Sequence, residues 1–233
     1  MIYVSSDLHG YPLEKFKALL KKAGFCDDDF LYVIGDVIDR GKEGVKILEW
    51  LISKRNALLI LGNHEDMLLA CDFLFDEAVE EGFTTVLPNR LRALEVWKHN
   101  GAEPTINGMD ILPAKRRERI LEYLRAAPIY ATVTAGGRKY VLVHGGLGGY
   151  EEGKPLSDYF PHDLIWTRPT LDMEYSTEFT TVIGHTPTHF YGSRHRGKML
   201  RTKTWINIDT GAAAGGSPML LRLDDLAVFY ARD

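Results

Sequence analysis

MIYVSSDLHGYPLEKFKALLKKAGFCDDDFLYVIGDVIDRGKEGVKILEWLISKRNALLILGNHED, residues 1–66, is the stretch that decides the fold. Three short apolar runs stand out in it: Ile2–Ser5, Phe30–Ile34 and Leu58–Leu61. Each is strand-sized and closed by a polar or glycine-containing turn. Their nearly continuous apolar character predicts strands buried on both faces. Between them lie two helical patterns. Pro12–Ala23 puts Leu13, Phe16, Leu19, Leu20 and Ala23 on one stripe, with Lys15, Lys17, Lys21 and Lys22 mostly outside it. Gly24 comes next, where a helix stops. Glu43–Lys54 repeats the pattern with Val45, Leu48, Leu51 and Ile52. The order β-α-β-α-β predicts an α/β protein that begins with parallel strands.

Further strands are predicted at Tyr140–Val143, Thr181–Ile183 and Trp205–Ile208, and a hairpin at Leu220–Leu223 and Ala227–Tyr230 around Asp224 and Asp225. The intervening segment, about 66–128, reads as helical: Asp66–Glu81, Leu91–Asn100 and Ala114–Ala126, broken by Pro88, Gly101 and Pro104. We read it as an insertion between two halves of the sheet structure. Its charged run, residues 115–119, reads as the solvated face of a helix backed by Ile120, Leu121 and Leu124. Gly211–Ser217 reads as a loop near the site.

At 233 residues the chain can bury a sizeable core, and we expect one domain over 1–233. A net charge of −4 gives no electrostatic case for nucleic acid or an anionic membrane as partner, so phosphate affinity must come from a local site. The apolar stretches are strand-sized, and residues 1–10 carry no basic leader, which predicts a cytoplasmic location. Cys26 and Cys71 match no metal spacing and read as reduced thiols, one or both buried.

The chemistry lies at the strand ends. Ile2–Ser5 leads to Asp7 and His9, and Phe30–Ile34 to Asp36, Asp39 and Arg40. Leu58–Leu61 leads to Asn63 and His64, Tyr140–Val143 to His144, and Thr181–Ile183 to His185. Five strands thus deliver metal-binding or proton-transferring side chains at the same end, where open α/β sheets place their ligands. Four of the eight histidines fall there; His99, His162, His189 and His195 have no such context and read as surface or structural. Oxygen and nitrogen ligands without thiolate favour manganese, iron or zinc over magnesium or calcium. Two neighbouring divalent cations activate water at neutral pH.

The set SDLHG (6–10), GDVIDRG (35–41), GNHE (62–65), HGG (144–146) and GHT (184–186) resembles the ordered motifs of the calcineurin-like metallophosphoesterases. It is most similar to their phosphoprotein phosphatase branch, and to the small bacterial and phage serine/threonine phosphatases within it. The resemblance implies a central β-sandwich of two mixed sheets flanked by helices. It implies Asp7, His9 and Asp36 as ligands of one divalent ion, and Asp36, Asn63, His144 and His185 as ligands of a second. Manganese is the expected metal, with iron or zinc as the alternatives. His64 resembles the proton donor to the leaving group and Asp39 the carboxylate that orients it. Arg40 resembles a phosphate clamp, and TrpThrArg (166–168) makes Arg168 its second member. Ser6 departs from the glycine usual in the first motif. Asp209, in a run similar to one in these enzymes, is either support for the site or a strand-ending turn residue.

The expected activity is hydrolysis of a phosphomonoester by direct attack of hydroxide on phosphorus, with a phosphorylated serine or threonine of a protein or peptide as substrate. The alternative on the same site is symmetrical hydrolysis of diadenosine tetraphosphate or another dinucleoside polyphosphate. A non-catalytic scaffold is the reading from another class. It sits badly with a complete ligand set. Oligomeric state is not legible.

Overall fold

A computed structural model describes residues 1–75 and 87–231. The opening segment folds as β1 (Ile2–Ser5), α1 (Leu13–Lys22), β2 (Phe30–Ile34), α2 (Gly44–Ile52) and β3 (Ala57–Ile60). Helices α3 (Asn63–Ala70), α4 (Leu87–His99), α5 (Glu103–Asp110) and α6 (Ala114–Arg125) come next. The chain then returns to β4 (Tyr130–Ala135), β5 (Arg138–Val143), a short α7 (Pro161–Ile165), β6 (Thr180–Ile183), β7 (Leu200–Arg201), β8 (Trp205–Asn207), β9 (Met219–Arg222) and β10 (Ala227–Tyr230). One five-stranded sheet runs β10-β9-β1-β2-β3 and a second runs β4-β5-β6-β8-β7. Each has three parallel strands, β1-β2-β3 and β5-β6-β8, with antiparallel strands at the edges. Both sheets are therefore mixed, as expected.

Strand alternation explains why the strands read as continuous apolar runs. Side chains point alternately to opposite faces. In the first sheet Tyr3, Leu31 and Val33 pack outward against the helices, whereas Val4, Ile34 and Ile60 pack inward against Leu142, Val182 and Ile206 of the second sheet. The second sheet turns Val143, Ile183 and Trp205 outward, against Leu147, Tyr159 and Leu164. The order of layers is helices, sheet, sheet, then short helices and loops.

The helical insertion differs in detail from its expected form. The helix expected over 66–81 is α3, begun earlier and followed by a short 3-10 turn at Asp72–Phe75; positions 76–81 lie outside the described residues. Pro88 and Pro104 do not break helices. They sit in the first turns of α4 and α5, where a missing N–H costs nothing. The 115–119 run is solvent-facing, and Ile120, Leu121 and Leu124 are buried beneath it. Helices α5 and α7 and strands β4 and β7 were not expected. Both cysteines are free, Cys26 exposed and Cys71 buried. Among the described residues no helix is long and apolar enough to cross a membrane.

Candidate active site

The loops leaving β1, β2, β3, β5 and β6 meet where the carboxyl ends of the two sheets face each other. Backbone hydrogen bonds carry the strand pairing on into the loops. Asp7 N–H donates to Gly35 C=O at 3.1 Å, His9 N–H to Asp36 C=O at 2.8 Å, and Gly184 N–H to His144 C=O at 2.8 Å. The turns are tight. Asp7, His9, Asp36, Asp39, Arg40 and His185 all have positive φ, and they are six of the seven such non-glycine residues among those described. Positive φ is uncommon for any residue but glycine. Asp and His tolerate it better than most, which leaves Arg40 as the least comfortable of the six, and its concentration here marks a site whose geometry overrides local preference. Gly184 has a related function: a Cβ there would fall onto the Asp7 carboxylate.

Asp36 lies at the centre. His9, Asp36 and His64 offer ligand atoms within 4.8 Å of one another, and so do Asp36, His144 and His185. Asp36 is common to both groups, the position a bridging carboxylate needs. The first group differs from the expected one, with His64 where Asp7 was placed. Asp7 instead accepts the His185 N–H on both carboxylate oxygens, at 3.1 Å each, and so ties the first sheet to the second.

The residues fit a metal pair. His9 Nδ1 donates to Ile38 C=O at 3.0 Å and His144 Nδ1 to Ile34 C=O at 2.8 Å, because a carbonyl can only accept. That turns both Nε2 atoms toward Asp36, at 3.6 and 3.2 Å. Such a carbonyl partner is the usual way a ligating imidazole is held. His185 Nε2 is buried with no hydrogen-bond partner among the described residues, the state of a nitrogen reserved for a ligand. Burial pushes His185 and His9 down to about 3, with His144 adding to the effect at His185, so both are bare bases. Burial alone would also lower His144, but the Asp36 carboxylate outweighs it and holds His144 up to about 10. A cation held by His144 would have to displace that proton.

Asp36 itself would be raised by burial; His144, His64 and His9 overcome that and hold it well below the usual carboxylate range. Asp7 moves the other way, pushed up by burial and by the nearby Asp209. Asp209 is buried in the cavity wall and accepts the Gly211 N–H at 2.9 Å.

His64 is gripped from behind. Its Nδ1 lies 2.6 Å from Asp39 Oδ2, and both residues are fully buried. Burial alone would lower the His64 pKa, but the Asp36 and Asp39 carboxylates outweigh that and raise it. Asp39 is held in turn by residues of the insertion. Trp97 Nε1 donates to Oδ2 at 2.8 Å, and Thr105 Oγ1 donates to Oδ1 at 2.5 Å. Glu65, the fourth residue of the third motif, is buried and accepts the N–H groups of Asp36, Val37 and Gly62 at 2.8, 2.8 and 3.1 Å. It fastens the β2 and β3 loops together.

Both predicted arginines reach the mouth. Arg40 places its terminal nitrogens 3.1 Å from His9 Nε2 and 3.1 Å from His64 Nε2, and its backbone N–H donates to Gly101 C=O at 2.8 Å. Arg168 donates to His185 C=O at 2.9 Å and to Thr186 Oγ1 at 3.2 Å. Between them opens a cavity of about 660 Å³, a size that suits a small-molecule ligand. Its walls include Asp7, His9, Asp36, Asn63, His64 and His185.

Comparison with known proteins settles the family. The model of the calcineurin-like phosphoesterases matches residues 1–210. The chain belongs to that family. A symmetrical bis(5'-nucleosyl)-tetraphosphatase of Buchnera aphidicola subsp. Schizaphis graminum is 37% identical over 108 residues, 42% of this chain and 39% of that protein. The chain thus aligns with about two fifths of the length of such curated relatives. A solved structure provisionally assigned as a diadenosine tetraphosphatase superposes over 98% of this chain and 91% of its own, with a TM-score of 0.62 and 16% identity. A serine/threonine phosphatase from Saccharomyces cerevisiae superposes over 98% and 78%, with a TM-score of 0.56 and 16% identity. At these identities the two structures share the fold.

The cavity is wider than the motifs announce. His189, expected to be surface or structural, stands in the cavity wall with Phe190, and the two rings stack at 4.7 Å. Gly211, Ala213 and Ala214 also line the cavity, so the glycine- and alanine-rich segment does lie at the site. Trp97, Thr105 and Glu65 went unrecognised. Glu65 alone had a local signal, a glutamate three residues after the residue that starts a helix.

Proposed function

We propose that the chain is a hydrolase of dinucleoside polyphosphates that uses two divalent cations. The observation that carries this is an exposed aromatic in the wall of the cavity that holds the histidines and both arginines: Phe190 is 71% exposed, with one face stacked on His189. An exposed aromatic face is a platform for a nucleobase. The names of the curated relatives support the same substrate class.

Asp36 would bridge the cations, with His9 and Asp7 on one side and Asn63, His144 and His185 on the other. Manganese is the expected metal. Bound cations would supply activated water and neutralise charge on the scissile phosphate. The chain's own residues do the rest. Arg40 and Arg168 offer paired N–H donors matched to phosphate oxygens. His64 Nε2, which accepts from Arg40 here, would be freed to deliver a proton to the leaving oxygen once Arg40 turns to the phosphate, with Asp39 fixing the ring and stabilising its charged form.

A phosphoserine or phosphothreonine of a protein is the second reading. It is favoured by the AspArgGly (39–41) and GlyAsnHisGlu (62–65) forms, which resemble the phosphoprotein phosphatase branch. One panel with manganese separates the readings: diadenosine tetraphosphate, a phosphoserine peptide, a phosphothreonine peptide and p-nitrophenyl phosphate. The first reading predicts the highest kcat/KM on the dinucleotide. A higher value on either peptide overturns it in favour of the second.

A further inference from the structure

The cleft does not end at the Gly211–Ala214 loop. A second cavity of about 570 Å³ lies beyond it and shares His189, Gly211 and Ala214 with the first. Its other side is formed by Arg196, Lys198 and Tyr230. Residues 179–208 contain no aspartate or glutamate, yet Arg194, Arg196, Lys198, Arg201 and Lys203 fall within ten positions of that stretch. In a chain of net charge −4 this is a local concentration of positive charge. Lys203 is paired with Glu174 at 3.0 Å, whereas Arg196 and Lys198 are exposed and form no ion pair with a described residue.

The backbone that carries these two cations is fixed. Thr188 Oγ1 donates to His195 C=O at 2.8 Å, the Lys198 N–H donates to the same carbonyl at 3.1 Å, and the Met199 N–H donates to Tyr230 Oη at 3.1 Å. The facing loop is closed by Thr210 Oγ1 on Ser217 C=O at 2.6 Å. A cationic pocket with hydrogen-bonded walls, adjoining the first cavity at His189, Gly211 and Ala214, is placed to take the anionic remainder of a long substrate.

We infer that this second cavity binds the distal phosphates of an extended phosphoanhydride substrate, with Arg196 and Lys198 as its charged contacts. The inference rests on the dinucleotide reading for its natural ligand. A polyphosphate held at the scissile phosphorus by Arg40 and Arg168 has further negative charges to place, and this is the direction in which the cleft meets unpaired cations. Long-chain anions gain from each charged donor they reach.

Two measurements on wild type and the Arg196→Ala/Lys198→Ala variant test it. The first is the ratio of kcat/KM on diadenosine tetraphosphate to that on p-nitrophenyl phosphate, which has no phosphate beyond the scissile one. The ratio should fall about tenfold or more in the variant, through KM, on the scale of lost charged hydrogen bonds; an unchanged ratio overturns the inference. The second is calorimetric binding of inorganic tripolyphosphate to metal-free protein. Affinity should fall about tenfold in the variant, and equal affinities overturn the site. If wild type fails to cleave the dinucleotide while tripolyphosphate binding still depends on the pair, the substrate reading falls and the site stands.

Discussion

Residues 1–65 and the helical stretch 66–128 contribute to the same site in opposite ways. The first supplies most of the groups that meet metal and phosphate: Asp7, His9, Asp36, Arg40, Asn63 and His64. The second supplies no predicted ligand, yet Trp97 and Thr105 hold Asp39 and thereby His64, and Gly101 holds the Arg40 backbone. The first acts through side chains at strand ends, which local sequence encodes. The second acts through contacts across 58 and 66 residues of chain, which local sequence does not encode. Reactive groups and the groups that aim them therefore come from different parts of the chain.

The sharpest way to test that division is at its junction. His64→Ala should lower turnover by about 10²–10⁴-fold on a phosphoserine peptide, whose alkoxide leaving group needs a proton, and by less on diadenosine tetraphosphate, whose leaving group is a phosphate. The loss should be much smaller on p-nitrophenyl phosphate, whose leaving group needs little help. Equal losses on the peptide and p-nitrophenyl phosphate would remove His64 from the proton-donor role and return it to the metal group that the geometry also allows.

Next in size are the insertion's own contributions. Trp97→Phe and Thr105→Val each leave an Asp39 oxygen short of a donor. Loss of such an outer hydrogen bond typically costs about 10–100-fold in activity. It should also cost about 1–3 kcal/mol of stability for the unsatisfied buried group. Steady-state kinetics and urea unfolding measure the two separately. If stability falls while turnover holds, the insertion is packing alone and the comparison breaks.

The smallest effect belongs to a contact away from the site. Arg116 of α6 donates to Glu49 of α2 at 2.7 Å, both partly exposed. Arg116→Ala should change stability by about 0–1 kcal/mol, as exposed ion pairs do. Its kcat/KM should match wild type. A large kinetic loss would mean that the whole insertion, and not the two Asp39 contacts, tunes the site.

The same contrast explains how much was legible. Strands ending in Asp, His and Asn announce both the sheets and the site, because alternation and strand-end position are local properties. The tight turn at Asp36 is implied by the adjacent Gly35, and those at His9 and Arg40 by Gly10 and Gly41. Strand β4 was legible and passed over: Tyr130–Ala135 alternates and meets β5 through Gly136 and Gly137, both at positive φ, a strong hairpin signal. Strand β7 is two residues long and exists only because β8 pairs with it. Trp97 reads in sequence as an apolar residue on an amphipathic helix, and nothing local says that its indole N–H points at a carboxylate. His189 looks like any exposed histidine until the fold brings it into one cavity wall with Gly211 and Ala214.

The most direct test is metal content. Wild-type protein purified with manganese and desalted should hold about two ions per chain by elemental analysis. Asp36→Asn should hold markedly fewer while keeping its circular dichroism spectrum. Two ions retained by Asp36→Asn, or none bound by wild type, would contradict a centre built around a carboxylate shared between cations.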